Sequence, residues 1–430
     1  MPPSAPPSRA APARRPGDGP LRNREFRLLF TGRFVSLLGD GAFLVAVTWE
    51  AYTLSNSPTA LSLLGVALTV PLIALLLFGG VVSDRHDRRH VMMIADAVRA
   101  GALAVLGTLA VTGALRLWQM VPLAIIYGAA EAFFDPASEA ILPQVVQAGD
   151  LARANALEQL VRPLALRMAG PAIGGLLIGL LGTGAAFLAD GATFLFSAAT
   201  LLAMKPCVPS HAGTDAGVIR QLRGGVAYVR RHVWLWGTFA CAAVAYLLFM
   251  GPATILLPYM VKHVLGGSSL QLGLVVAAGG LGAVVCAAAM SRHALPRGPI
   301  GFIYVTWTLA TLAVAAYGVA TAVWQLMLAC LAFNLLETAG TIVWATVKQR
   351  HVPESLLGRV SSLDWLISIG LLPVSLMLAG PVSELVGVRT TLVAAGVLGA
   401  LVTLAGLALP GMRDLDRTDV AFARGDRAAA

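Results

Sequence analysis

Apolar residues come in blocks of about 20 along this chain, and the short polar stretches between the blocks carry most of the charge. A helix rises about 1.5 Å per residue, so a block of that length crosses a hydrocarbon core of ~30 Å. Backbone groups in lipid must be bonded within their own structure, which leaves helices or a closed barrel. The blocks run continuously apolar, unlike the alternating strands of ~10 residues that build a barrel. Twelve spans are predicted, at residues 28–51, 60–82, 91–113, 118–137, 157–181, 184–204, 234–257, 270–290, 299–320, 323–346, 359–384 and 390–410. The expected fold class is an all-α membrane protein with 12 transmembrane helices.

The longest polar stretch between spans, residues 205–232, divides them six and six. The organisation this gives is a disordered basic tail (1–27), a first half (28–204), a central loop (205–232), a second half (233–411) and a final tail (412–430). The halves also repeat. Residues 163–171 read PLALRMAGP and residues 373–381 read PVSLMLAGP, five of nine identical at an offset of 210, in spans 5 and 11. Pro143 and Pro353 keep the same offset. Two six-helix halves enclosing a site near the midplane are a known architecture for moving solutes.

Charge orients the bundle. Of the 31 Lys and Arg, 24 fall on the side of the N-terminus. Three (Arg116, Lys262, Arg389) fall on the other side, and four (Arg33, Arg99, Arg162, Arg167) within spans. Positive charge stays inside, so both termini are expected in the cytoplasm and the protein in the cell inner membrane.

Composition adds exclusions. The chain is 57% hydrophobic and 12% charged, against roughly 25% charged in a soluble domain. The net charge of +9 follows from the topology, so nucleic acid is not an expected partner. Cys207, Cys241, Cys286 and Cys330 are far apart and suggest neither disulfide nor metal site. The histidines lie in loops or at span ends, without metal-ligand spacing. No phosphate-cradling G-x-x-x-x-G-K-[ST] and no catalytic constellation is present, so no enzyme, cofactor or ATP use is expected. The tail 1–27 has no apolar core and does not read as a cleaved signal. A monomer in the bilayer is expected.

Polar groups inside spans are costly, so each calls for a reason. In span 1, Arg33, Ser36, Asp40 and Glu50 fall on one helical face. A carboxylate that alternates between a dry pocket and water exchanges a proton as it moves. Asp40 is read either as such a proton carrier or as a structural Asp bonded between helices, and Glu50 as a further proton-coupling candidate or as a group reaching water at the span's outer end. In span 10, Asn334, Glu337, Thr338 and Thr341 share a face. Glu337 is a candidate for coupling or substrate binding, or else a helix-joining group. Glu131 shares a face of span 4 with Tyr127 and Ser138 and is a further candidate. Arg167, deep in span 5, needs an acid partner or an anionic substrate, and Arg33 raises the same question. Tyr246, Phe249, Phe333, Trp344 and Trp365 can line a cavity, whereas Trp118, Trp324, Tyr52 and Tyr259 read as interface residues.

The turn between spans 2 and 3 reads Gly80-Val81-Val82-Ser83-Asp84-Arg85-His86-Asp87-Arg88-Arg89. Through Gly80, Asp84, Arg85, Arg88 and Arg89 it resembles the loop signature of the major facilitator superfamily, with Asp87 where that family usually has glycine. Gly170, Pro171, Gly174 and Gly175 in span 5 are similar to its antiporter motif, with Leu166 in place of an earlier glycine. Leu38-Gly39-Asp40, Asp96 with Arg99, Phe134-Asp135-Pro136-Ala137, Asn155-Ala156-Leu157 and Asp190 resemble the branch holding macrolide efflux proteins and the enterobactin exporter. The span 4 arginine of many drug antiporters is missing. The resemblance covers about residues 25–410. It implies a latch in which Asp84 meets the start of span 11, near Gly358 and Arg359, while Arg85, Arg88 and Arg89 pair with acids such as Asp135.

The function expected is export of a hydrophobic small molecule in exchange for protons, by alternating access of the two halves. The alternatives are uptake or proton-independent passage, and a membrane sensor or scaffold on a transporter fold.

Overall fold

The computed structural model describes residues 20–147, 150–206, 226–291 and 296–416. The side chains of Asp84, Arg359 and Trp365, and Gly358, lie outside the described residues, so the two faces of the expected latch do too. Every predicted span is a helix. Spans 1 to 4 are Arg24–Leu54, Pro58–Arg85, Arg88–Val111 and Leu117–Val145. Span 5 is Leu151–Arg162, a π-helical stretch Pro163–Ala169, and Gly170–Leu181. Span 6 is Thr183–Leu202, and span 7 is Val233–Tyr259 followed by a π-helical Met260–Val264. Spans 8 to 10 are Ser269–Met290, Pro299–Val319 and Val323–His351. Span 11 is split into Glu354–Gly370 and Leu372–Val386, and span 12 is Val388–Gly406. Eleven of these are long and apolar enough to cross a bilayer as single helices, and the break at Leu371 sets span 11 apart.

The breaks are written in the sequence. Proline lacks an N–H and clashes with the preceding turn. Pro171 therefore leaves the Arg167 carbonyl without its i+4 donor, and the chain widens into the π stretch beside it. Span 11 breaks just before Pro373, the residue that matches Pro163 in the repeat. Spans 4 and 10 run further than expected, to Val145 and His351. Pro136 and Pro143 sit inside span 4, while Pro353 lies beyond the end of span 10.

Packing repeats with an offset of six. In the first half span 2 packs on 4, 3 on 6 and 4, and 1 on 6 and 5; in the second half span 8 packs on 10, 9 on 12 and 10, and 7 on 12 and 11. The halves meet where span 2 lies on span 11 and span 8 on span 5, two contacts that the same symmetry interchanges. Gly41 in span 1 and Gly251 in span 7, also 210 residues apart, take equivalent places. Each lies against the backbone of its neighbouring broken span, at Leu166 and Gly170 for one and at Ser375 for the other.

Buried apolar side chains form three clusters. One runs through both halves, including Phe43, Val47, Leu64, Leu103, Ile255, Leu272 and Leu376. The other two are confined to one half each, around Phe26, Met92 and Ile141, and around Trp234, Ile303 and Val347. The halves thus share a core at one end of the bundle and have separate cores at the end that carries most arginines, here the basic end. Hydrogen bonds between described residues of the two halves fall at the far end: Tyr52 to Ile255 O, Lys262 to Trp49 O, Ser269 to Gly175 O and Gly380 N to Ser62 Oγ.

Candidate functional site

Spans 1, 3, 4 and 6 bring a polar cluster into the first half. The Tyr127 hydroxyl donates to Asp40 Oδ1 at 2.5 Å. Asp96 and Arg99, one turn apart on span 3, form a fully buried ion pair at 2.6 Å. The Arg99 guanidinium lies 4.1 Å from the Phe194 ring centre and 4.4 Å from that of Phe134. Asp190 in span 6 is also buried, takes a 3.1 Å bond from Thr193 Oγ1, and sits where a side chain at Gly39 would go. Glu131 and Asp135 lie close enough to Asp40 to feel its charge. The sequence reading found Asp40 and Glu131 and passed over Asp96, Arg99 and Asp190 as site residues. The signal was present: an acid and an arginine at i and i+3 inside an apolar span.

Arg33 is held within the same half. It donates to Ser138 Oγ and lies 3.8 Å from Glu158 in span 5. Glu50 does not reach water as expected. Its side chain is buried and accepts a 2.5 Å bond from Thr183 Oγ1 at the start of span 6.

The second half carries a cavity of about 470 Å³ between spans 7, 9, 10, 11 and 12. Its walls include Tyr246, Phe249, Trp307, Phe333 and Trp344, and its polar groups include Glu337, Thr341, Lys348 and Asp364. The volume suits a small organic molecule. Glu337 accepts from Thr341 Oγ1 at 3.0 Å. Among the described residues, Arg167, from the π stretch of span 5, is the first-half residue that lines this cavity with it. Lys348, counted from sequence among loop cations, is buried in span 10 and bonded to Asp364 of span 11, which also accepts from Trp344 Nε1 at 2.9 Å. Neither Lys348 nor Asp364 was singled out in the sequence.

The glycines of the span 5 motif serve two neighbours. A Cβ on Gly170 or Gly174 would strike span 1 at Gly41 or Ala42. A Cβ on Gly175 would lie 2.6 Å from Ser269 O and 3.2 Å from Gly273 Cα of span 8, across the join between halves.

In the turn after span 2, Asp87 is the N-cap of span 3, accepting from the Arg89 N–H at 3.0 Å with an ordinary φ of −60°. Its backbone needs no glycine, which accounts for the departure from the family pattern. Arg88 donates to Ala140 O at 2.8 Å, and Arg89 donates to Met204 O. Both tie together helix ends of the first half. Arg85 is exposed on the last turn of span 2, and Gly80 has open space beside it. Asp135 makes no ion pair with another described residue.

At the far end, two charges from the second half grip the link between spans 1 and 2. Lys262 donates to Trp49 O at 3.0 Å and to Thr53 Oγ1 at 2.5 Å. Glu384 accepts from Ser57 Oγ and from the Thr59 N–H, the latter at 3.4 Å. Tyr52 and Tyr259, expected at the lipid interface, instead pack edge to face beside this grip, while Trp118 and Trp324 are exposed.

Twelve spans in two related halves, with a roomy cavity and buried carboxyls, define a multi-pass membrane transporter of the major facilitator superfamily. Within it, the chain belongs to the transmembrane secretion effector family, whose model matches residues 17–424. The multidrug efflux pump Tap of Mycolicibacterium fortuitum is 28% identical over 415 residues, covering 93% of this chain and 97% of its own. Macrolide efflux protein A of Streptococcus pyogenes is 22% identical over 406 residues, covering 91% and 97%. In fold the chain is similar to a crystal structure of the nucleoside transporter NupG, with a TM-score of 0.66 and 14% identity over 90% of this chain and 98% of that one.

Proposed function

We propose that the protein exports a hydrophobic small molecule, of drug or macrolide-like kind, in exchange for protons. The observation that carries this reading is the division of labour between halves. An aromatic cavity with room for an organic solute lies in the second half, and a carboxyl-rich cluster lies in the first. The shared core at the far end and the separate cores at the basic end support a state open at the basic end. With the arginines in the cytoplasm, that state faces inward and takes its cargo from the cell. Rocking the halves 28–204 and 233–411 about the span 2–11 and span 5–8 contacts gives the other state. The efflux pumps among the relatives support the direction of transport. One charge crossing 100 mV yields about 2.3 kcal/mol, enough for a gradient of roughly fifty-fold.

The test uses inverted membrane vesicles, an imposed pH gradient and ethidium or a radiolabelled macrolide. Accumulation that collapses with a protonophore is the expected result. Flux indifferent to the gradient identifies a uniporter, and no flux of any probe a sensor; either outcome defeats the proposal.

A further inference from the structure

We propose that Arg99 is the positioning residue for proton exchange at Asp40, supplying a fixed positive charge against which the surrounding carboxyls load and unload. This rests on the proton-antiport reading above. The titratable groups whose charge reaches Asp40 come from four other spans: Asp96 and Arg99 of span 3, Tyr127, Glu131 and Asp135 of span 4, Arg162 of span 5 and Asp190 of span 6, with Tyr127 bonded to it directly. Arg162 is exposed at its end of span 5. Arg99 is therefore the buried cation of the set, with a side chain 3% exposed, and it is outnumbered by the acids around it.

Its position is fixed from three sides. Asp96 Oδ1 accepts from Nη2, and the phenyl faces of Phe134 and Phe194 flank the guanidinium, an arrangement favoured by the ring quadrupole. The Tyr127 ring lies 5.9 Å away, and its hydroxyl is the group bonded to Asp40. One tyrosine thus connects the guanidinium to the carboxyl. One guanidinium neutralises one carboxylate, and Asp96 already holds it. Asp96 Oδ2 and Asp190 Oδ2 are buried with no hydrogen-bond partner, as is Arg99 Nε, so the ion pair leaves polar capacity unused and Asp190 has no cation paired to it among the described residues. Buried carboxylates left uncompensated are strongly unfavourable. The balance is restored by protons, and their number changes whenever water reaches Asp40. Without Arg99 the cluster has no buried cation to keep a carboxylate charged, only the exposed Arg162 at its edge, and the loading step disappears.

A purely structural ion pair makes a different prediction, because its loss weakens every transport mode together. The experiment reconstitutes the full chain and measures two fluxes of ethidium: accumulation driven by a pH gradient, and exchange at equal pH, which needs no net proton movement. Arg99→Gln is expected to lower gradient-driven accumulation at least about tenfold while leaving exchange within about twofold, and Arg99→Lys to recover part of the driven flux. The neutral pair Asp96→Asn with Arg99→Gln, which removes both charges of the ion pair together, is the second variant should the single one fail to fold. It is expected to show exchange without driven accumulation. Driven accumulation within about twofold of the parent in either variant overturns the assignment, as does a parallel fall of both fluxes in the neutral pair. A parent protein that ignores the gradient defeats the antiport reading itself, and this inference with it.

Discussion

Asp40 and Glu50 lie on one face of span 1 and end in different surroundings. Asp40 meets a phenol beside a buried cation, whereas Glu50 is capped by the Thr183 hydroxyl, within electrostatic reach of Lys262. Periodicity places both on the inward face, because it reports which side of a helix is polar. It is blind to what the opposite helix presents, so it could not separate the two carboxyls or pair Lys348 with Asp364. The two carboxyls should therefore fail differently on neutralisation. Asp40→Asn is expected to abolish gradient-driven efflux with unchanged thermal stability in detergent. Glu50→Ala strands the Thr183 hydroxyl and should cost about 1–3 kcal/mol of stability with coupling intact. Loss of coupling in the Glu50 variant alone would reverse the two roles.

At the level of elements, the spans were legible because lipid demands long uninterrupted apolar helices. Their ends were not, since spans 4 and 10 continue past the apolar run as helix whose apolar side joins the separate cores at the basic end. Partial motifs told more than their length suggested. Gly170-Pro171 foretold a backbone break, and Gly175 marked the place where span 8 comes within van der Waals contact across the join. What the motif could not disclose is that its glycines serve two different neighbours, since that depends on how spans 1 and 8 flank span 5. Gly175→Leu should push span 8 away at Ser269 and Gly273, with an overpacking cost of about 1–3 kcal/mol borne by the state closed at the far end. The check is thiol labelling from outside the cell at a cysteine placed in the cavity wall, such as Ala245→Cys. Labelling should rise several-fold, and an unchanged rate would remove the seam from the gating scheme.

Across the whole molecule, the repeat of 210 residues supplies the symmetry, and the asymmetry lies in what fills each half. The buried cluster of acids around Arg99 lies in the first, and the aromatic-walled cavity lies in the second. Local sequence carries the repeat, but the shared and separate cores come from the relative placement of the halves, which twelve spans read one at a time do not contain.

The grip of Lys262 and Glu384 on the link between spans 1 and 2 has a consequence of its own. The ammonium rests on the carbonyl-rich finish of one helix and the carboxylate on the amide-rich beginning of the next, so each sign answers a backbone dipole and not the other side chain of the grip, with Glu50 adding negative charge near the ammonium. Ordinary oppositely charged partners tolerate being traded, because the attraction survives inversion. Here Lys262→Glu combined with Glu384→Lys would set both signs against the wrong dipole. Trading them should unlock the far end more than removing either alone, read as outward thiol access, and recovery on exchange would mean the two side chains answer each other after all.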